Sequence, residues 1–155
     1  MHLLFSAILL AQSAFAPLLG ATQWIGRPPA AAAYDGKVVI VDVFTFDCIN
    51  CKHVVPELQT LRARYPTKDL TIVGVHTPET PSERQRANVV TALAAQGISW
   101  PVAVDNDQKL WNAFGVQYWP TQLIFDRHGR LRKTVIGEGC DAQVSSLVAA
   151  LVAER

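Results

Sequence analysis

Two cysteines three residues apart are the feature of this sequence with the clearest chemical meaning. Cys48 and Cys51 enclose Ile49-Asn50 and lie between a run of β-branched residues and a segment with helical character. At the start of a helix this spacing puts the two thiols one turn apart, close enough to form a disulfide without strain. The unpaired N–H groups and the positive dipole end of a helix N-terminus stabilise a thiolate. The pattern predicts a redox-active pair, with Cys48 as the exposed thiol and Cys51 as the resolving thiol.

Other uses of this cysteine pair fit the sequence less well. Zinc binding would require a second Cys/His pair at ligand spacing, and none is evident. Covalent haem attachment would require a histidine directly after Cys51, where Lys52 stands. A purely structural disulfide stays open as an alternative. We therefore expect a redox pair that needs neither a metal nor a cofactor.

The residues around the pair predict a sheet and helices that would position it. Residues 38–44 are almost wholly apolar and β-branched, as is typical of a strand buried on both faces, and 70–75 predicts a second such strand. The other predicted elements are helices over 49–65, 81–96, 106–114 and 141–153, and strands over 123–125 and 131–136 joined by a turn at 126–129. This order predicts an α/β sheet, parallel in its first part and antiparallel in its last.

Two further residues are placed to act on the cysteine pair. Asp42 lies within the first apolar strand, six residues before Cys48. A buried carboxylate is costly unless it has a partner or a task, and near two thiols it can hold or pass a proton; the alternative is that Asp42 faces solvent. Trp119 and Pro120 precede the third long strand. A cis peptide there would bring the loop against the cysteines, and the sequence leaves the isomer open.

Taken together, these residues resemble the thioredoxin superfamily. The shared pieces are the strand with Asp42, the CxxC at 48–51, Pro56, Pro120 followed by Thr121, and Gly137 after the last strand. The similarity is greatest with exported TlpA/ResA-like proteins and with the thioredoxin-like domain of the DipZ membrane proteins, and it rests on Trp24, Pro28-Pro29, 36–39, 74–79, 101–107, 118–120 and 137–139. It implies a thioredoxin fold, with a central mixed sheet flanked by helices on both faces.

The resemblance implies a thiol–disulfide oxidoreductase that reduces or exchanges disulfides in partner proteins. By this resemblance, Cys48 would attack a partner disulfide and Cys51 would resolve the mixed disulfide. Asp42 would assist proton transfer at Cys51, and Glu79 falls where ResA-like proteins carry an active-site glutamate. Asp47 beside the nucleophile opposes thiolate formation. The dipeptide between the cysteines also carries no histidine, so we expect a reducing to intermediate poise.

The resemblance also implies the partners of the protein. The backbone of Trp119, before Pro120, would offer hydrogen bonds to an extended partner peptide. The partners would be protein thiols or disulfides and a redox donor, such as a membrane thiol reductase, and we expect a monomer. A formal charge of +1 over 155 residues argues against a nucleic-acid partner.

Two other functions on related folds remain as alternatives. A copper-binding Sco-like chaperone uses CxxxC with a distal histidine, whereas this chain has CxxC. A peroxidase of the peroxiredoxin type uses P-x-x-x-T-x-x-C; Thr45 fits that pattern, but Val41 stands at the proline position. Metal titration and peroxide consumption by the reduced protein would separate these functions from disulfide reduction.

The N-terminal residues predict export. The first 26 residues contain no Asp, Glu, Lys or Arg, and an apolar run is followed by Ala14-Phe15-Ala16, the small-x-small pattern of a signal peptidase site. We therefore predict a signal peptide over 1–16, a lead-in segment with little regular structure over 17–36, a thioredoxin-like domain over 37–155, and a bacterial periplasmic location. The missing basic residues and Pro17 leave a different cleavage point, a late start codon or an uncleaved anchor open, and a further alternative is an apolar N-terminal helix that packs on the domain.

The third cysteine, Cys140, stands at the start of the closing helix. We expect it to stay free while Cys48 and Cys51 form a disulfide. The alternative is a third redox thiol, because an odd cysteine in an exported protein can pair between chains.

Overall fold

A computed structural model describes residues 14–154, and within them six strands form one mixed sheet. The strands are β1 (Trp24–Ile25), β2 (Val38–Phe44), β3 (Leu70–His76), β4 (Val102–Val104), β5 (Thr121–Phe125) and β6 (Leu131–Ile136). The helices are α1 (Ala16–Leu19), α2 (Ile49–Arg64), α3 (Arg86–Ala95), α4 (Lys109–Ala113) and α5 (Asp141–Ala153), with 3-10 turns at Ala31–Ala33 and Ser82–Arg84. The spatial order is β1-β4-β3-β2-β5-β6.

The central strands run as the sequence predicts. β2, β3 and β4 are parallel, while β5 pairs antiparallel with both β2 and β6. β1 pairs antiparallel with β4 and forms one edge. Every residue of β2 and β5 is buried, which agrees with the mainly apolar sequence of β2 and with its place between β3 and β5 in the sheet.

Helices cover both faces of the sheet, as predicted. One hydrophobic cluster combines alternate β2 residues such as Ile40 and Phe44 with apolar side chains of α2, α3 and α5. The other combines Val39, Val41 and Val43 with residues of α1 and α4. Because successive side chains point to opposite faces of a strand, even-numbered and odd-numbered β2 residues join different clusters.

Two parts of the predicted secondary structure are wrong. The helix predicted over 81–96 is a 3-10 turn at Ser82–Arg84 followed by α3, because Gln85 is extended and interrupts it. The sequence also does not predict β4, a strand of three residues, or β1, which pairs with β4. Strands this short carry too few residues to show a periodicity.

Several side chains of the predicted lead-in segment and of the residues just before it pack into the hydrophobic core. Phe15, Leu18 and Tyr34 are buried in the cluster beside α4, and the ring of Phe15 stacks on Tyr34 with centroids 4.8 Å apart. The predicted signal peptide over 1–16 lies mostly outside the described residues. Within the described range, no helix is long and apolar enough to cross a membrane.

Candidate active site

The cysteine pair lies where the buried strand β2 gives way to helix α2. Cys48 is the N-cap of α2, and its Sγ accepts a hydrogen bond from the backbone N–H of Cys51 at 3.2 Å. The two residues form a disulfide with their Cα atoms 5.2 Å apart. Cys48 is partly exposed, whereas Cys51 is only 3% exposed. A partner can therefore reach Cys48 more easily, as the assigned order of attack requires.

Asp42 lies in the core behind the pair and does not face solvent. It is 2% exposed, and its position in β2 puts it on the same face as Ile40 and Phe44, whose cluster includes Cys51. No hydrogen-bond partner of its Oδ1 is found among the described residues. Burial raises the pKa of Asp42 to about 7, because the charged form loses its hydration. A carboxyl group with this pKa exchanges its proton near neutral pH.

The peptide between Trp119 and Pro120 is cis. The indole Nε1 of Trp119 donates to the carbonyl of Thr77 at 3.0 Å, and its ring packs against Trp111. Pro120 is buried, and Trp119 packs against the same core cluster as Cys48. The cis-proline loop and the cysteine pair thus border one hydrophobic core.

Of the two glutamates in the segment after β3, the buried one contacts the cysteine loop. The side chain of Glu79, the residue singled out from the sequence, is exposed. Glu83 is 1% exposed, and its Oε1 accepts the backbone N–H of Asp47 at 3.3 Å. Its Oε2 accepts the backbone N–H groups of Glu79 at 2.8 Å and Thr80 at 2.7 Å.

Sequence reasoning missed Glu83 although a local signal was present. Thr80 and Glu83 form the T-x-x-E pattern of a capping box, in which the glutamate bonds back to the N–H of the first residue. When residues 81–96 are interpreted as one helix, Glu83 lies in its first turn, and the hydrogen bond from Thr80 back to its side chain is not predicted.

His76, the last residue of β3, is buried next to the same loop. Its Nε2 accepts the backbone N–H of Phe46 at 3.3 Å, and its ring stacks on the Phe46 ring. Burial lowers the pKa of His76 to about 4, although the negative charge of Glu83 opposes that effect. His76 is therefore neutral at pH 7 and acts as a hydrogen-bond acceptor.

The remaining candidates lie at the margin of the site. Cys140 is free and half-buried at the N-terminus of α5. His53 is exposed on α2 and contacts Glu138. Among the described residues no group of His, Cys, Asp and Glu side chains could hold a metal ion.

Comparison with known proteins decides the family. A family model described as thioredoxin-like matches residues 36–131. The chain belongs to this thioredoxin-like family. Its fold agrees, since a thiol-disulfide isomerase from Corynebacterium glutamicum superposes with a TM-score of 0.78 at 24% identity, covering 87% of this chain and 94% of that one.

Sequence relatives of this family member differ widely in length. The protein DipZ of Mycobacterium tuberculosis is 35% identical over 126 residues, which cover 79% of this chain but 18% of DipZ. The thiol-disulfide oxidoreductase YkuV of Bacillus subtilis is 28% identical over 116 residues, covering 74% of this chain and 78% of YkuV. The chain thus spans less than a fifth of DipZ and most of YkuV.

Proposed function

We propose that this protein is a thiol–disulfide oxidoreductase that reduces or exchanges disulfides in partner proteins. The observation that carries the proposal is the Cys48–Cys51 disulfide at the N-terminus of α2, with Cys48 partly exposed and Cys51 buried. The family membership supports the same chemistry. Other thiols would reduce the Cys48–Cys51 disulfide back to the dithiol, so no cofactor is required.

The reaction follows from the two positions. The Cys48 thiolate attacks one sulfur of a partner disulfide, and the other partner sulfur leaves as a thiolate that takes up a proton. Cys51 then attacks the Cys48 sulfur, which releases the second partner thiol and leaves the Cys48–Cys51 disulfide. Two electrons pass from the pair to the partner. Asp42 would accept the proton of Cys51, because its carboxyl group is on that face of the sheet and has a pKa of about 7.

Partner binding would use the cis-proline loop. We propose that the backbone of Trp119, fixed by the indole bond to Thr77, pairs with an extended segment of the partner beside Pro120. The residue before it, Tyr118, has 60% of its surface exposed and would add apolar contact area. The predicted proton-transfer role of Glu79 stays a prediction.

We further propose export, action as a monomer, and re-reduction by a membrane thiol reductase. The uncharged, apolar N-terminal residues support export to the periplasm. Cleavage after Ala16 would remove Phe15 from the core, so we favour an uncleaved N-terminal anchor among the options that the sequence leaves open.

The decisive experiment is reduction of insulin by the purified protein with dithiothreitol as donor. Wild-type protein and Cys140→Ser should both accelerate it, whereas Cys48→Ser should be inactive. Cys51→Ser should accumulate mixed disulfides with the substrate. Normal turnover by Cys51→Ser would contradict the two-thiol mechanism. Copper binding or peroxide consumption without disulfide reduction would favour the two alternatives instead.

A further inference from the structure

The loop that carries Cys48 is held from one side by the end of β3 and by the segment after it. Each of the two residues before Cys48 donates its backbone N–H to a buried side chain there. Phe46 donates to Nε2 of His76, and Asp47 donates to Oε1 of Glu83, both at 3.3 Å. The Thr45 hydroxyl lies 3.4 Å from the same His76 nitrogen. The loop of the nucleophile is therefore held by side chains that lie 30 to 36 residues away in the sequence from the groups they contact.

The Glu83 side chain, which accepts the backbone N–H of Asp47, is negatively charged. Burial raises its pKa, but hydrogen bonds from the Thr45 side chain and from the N–H groups of Thr80, Glu79 and Asp47 outweigh that effect, so the pKa lies below its ordinary value. Among the described residues, no Lys, Arg or His forms an ion pair with this carboxylate. An ionised carboxylate in a water-poor environment acts strongly on neighbouring charges.

We propose that Glu83 is a positioning residue for Cys48: its carboxylate anchors the loop, and its charge disfavours the Cys48 thiolate. The carboxylate bonds to the residue directly before the nucleophile, while the N-terminus of α2 acts in the opposite direction by stabilising the thiolate. The effect would keep the pair reducing, which deepens the proposed function and rests on it.

Other ionisable groups belong to the elements around the Cys48 loop, and their effects must be separated from that of Glu83. Two of them, Asp47 and Lys52, form an ion pair at 3.6 Å. The remaining groups are His76 from β3, Asp42 from β2, His53 from α2 and Glu138 from the loop before α5. These groups are common to wild type and variant, so a difference between the two isolates Glu83.

The test is the pH dependence of Cys48 alkylation in the reduced protein, compared between wild type, Glu83→Gln and Glu79→Gln. The glutamine side chain has nearly the same shape and keeps an acceptor oxygen but loses the charge. In Glu83→Gln we expect the titration midpoint to fall and the alkylation rate at pH 7 to rise at least about threefold. Glu83→Asp, which keeps the charge, should remain close to wild type.

Two outcomes would overturn the proposal. One is an unchanged midpoint in folded Glu83→Gln, and the other is an equal or larger shift in Glu79→Gln. If Glu83→Gln does not fold, carboxyl-carbon NMR of reduced wild type decides, because the Glu83 signal must move as Cys48 ionises. A Glu83 carboxyl signal that does not move as Cys48 ionises would also refute the proposal. Neither measurement needs a substrate, so failure of the insulin assay would be a separate result.

Discussion

Replacing Asp42 by asparagine should make the protein progressively more stable relative to wild type as the pH rises, and should leave it less active. The side chain is 2% exposed, and burial raises its pKa from 3.8 to about 7. Between these two values the unfolded chain has released the proton and the native protein has kept it. The free energy of unfolding therefore falls as the pH rises, by about 1.4 kcal/mol per pH unit, and about 4 kcal/mol is lost by pH 7.

Asp42→Asn removes this titration, so the difference between variant and wild type must depend on pH. We expect the variant to gain about 4 kcal/mol relative to wild type between pH 4 and pH 8, whatever constant offset the buried amide adds. Urea denaturation of the oxidised proteins at several pH values measures it, and using the disulfide form removes thiol titration. A difference that stays flat within about 1 kcal/mol over this range would refute the reasoning.

The same variant tests the functional role of Asp42. If its carboxyl group accepts the proton of Cys51, Asp42→Asn should reduce insulin about 100-fold more slowly, which is at the lower end for loss of a proton-transfer group. Higher stability together with lower activity would indicate that the buried acid is kept for its chemistry. Unchanged activity would leave Asp42 with a stability effect alone.

The other predictions concern the N-terminal residues and the third cysteine. Phe15→Ala should lower the free energy of unfolding by about 3–5 kcal/mol, because the ring is 5% exposed, whereas Leu19→Ala at the end of α1, where the side chain is half exposed, should cost less than about 1 kcal/mol. Urea denaturation measures both. Peptide mapping of the oxidised protein without reductant should find the active-site disulfide and a free Cys140.

Specific results would contradict these expectations. Equal losses in Phe15→Ala and Leu19→Ala would mean that α1 does not pack on the domain as described. Recovery of Cys140 in a disulfide, within the chain or between chains, would favour its role as a third redox thiol.

The sequence predicts the centre of this molecule better than its edges. β2, β6 and α5 begin and end where their patterns indicate, because each is either buried throughout or has a clear stop. The CxxC lies between a strand and a helix, as predicted. β1 and β4 were missed because two or three residues form a strand only when a partner strand is already present.

The inward position of Glu83 was missed for a different reason. Glu79 and Glu83 are four residues apart, and both fit the loop that follows the second strand of the fold. Which one turns inward depends on backbone hydrogen bonds, since the turn at Ser82–Arg84 folds Glu83 back onto the N–H groups of Glu79 and Thr80. Neither composition nor periodicity contains that information.

The two buried acids near the cysteines favour opposite protonation states, and the reason is hydrogen bonding rather than burial. Both are at least 98% buried, but one Asp42 oxygen has no hydrogen-bond partner within residues 14–154, whereas Glu83 accepts three backbone N–H groups. Asp42 can therefore exchange a proton on the Cys51 side, while Glu83 stays charged on the Cys48 side. A fixed negative charge beside Cys48 destabilises the thiolate of the reduced form. A cysteine pair whose reduced form is less stable gives up its electrons more readily. This charge arrangement favours a reductant, in agreement with the absence of histidine between the two cysteines.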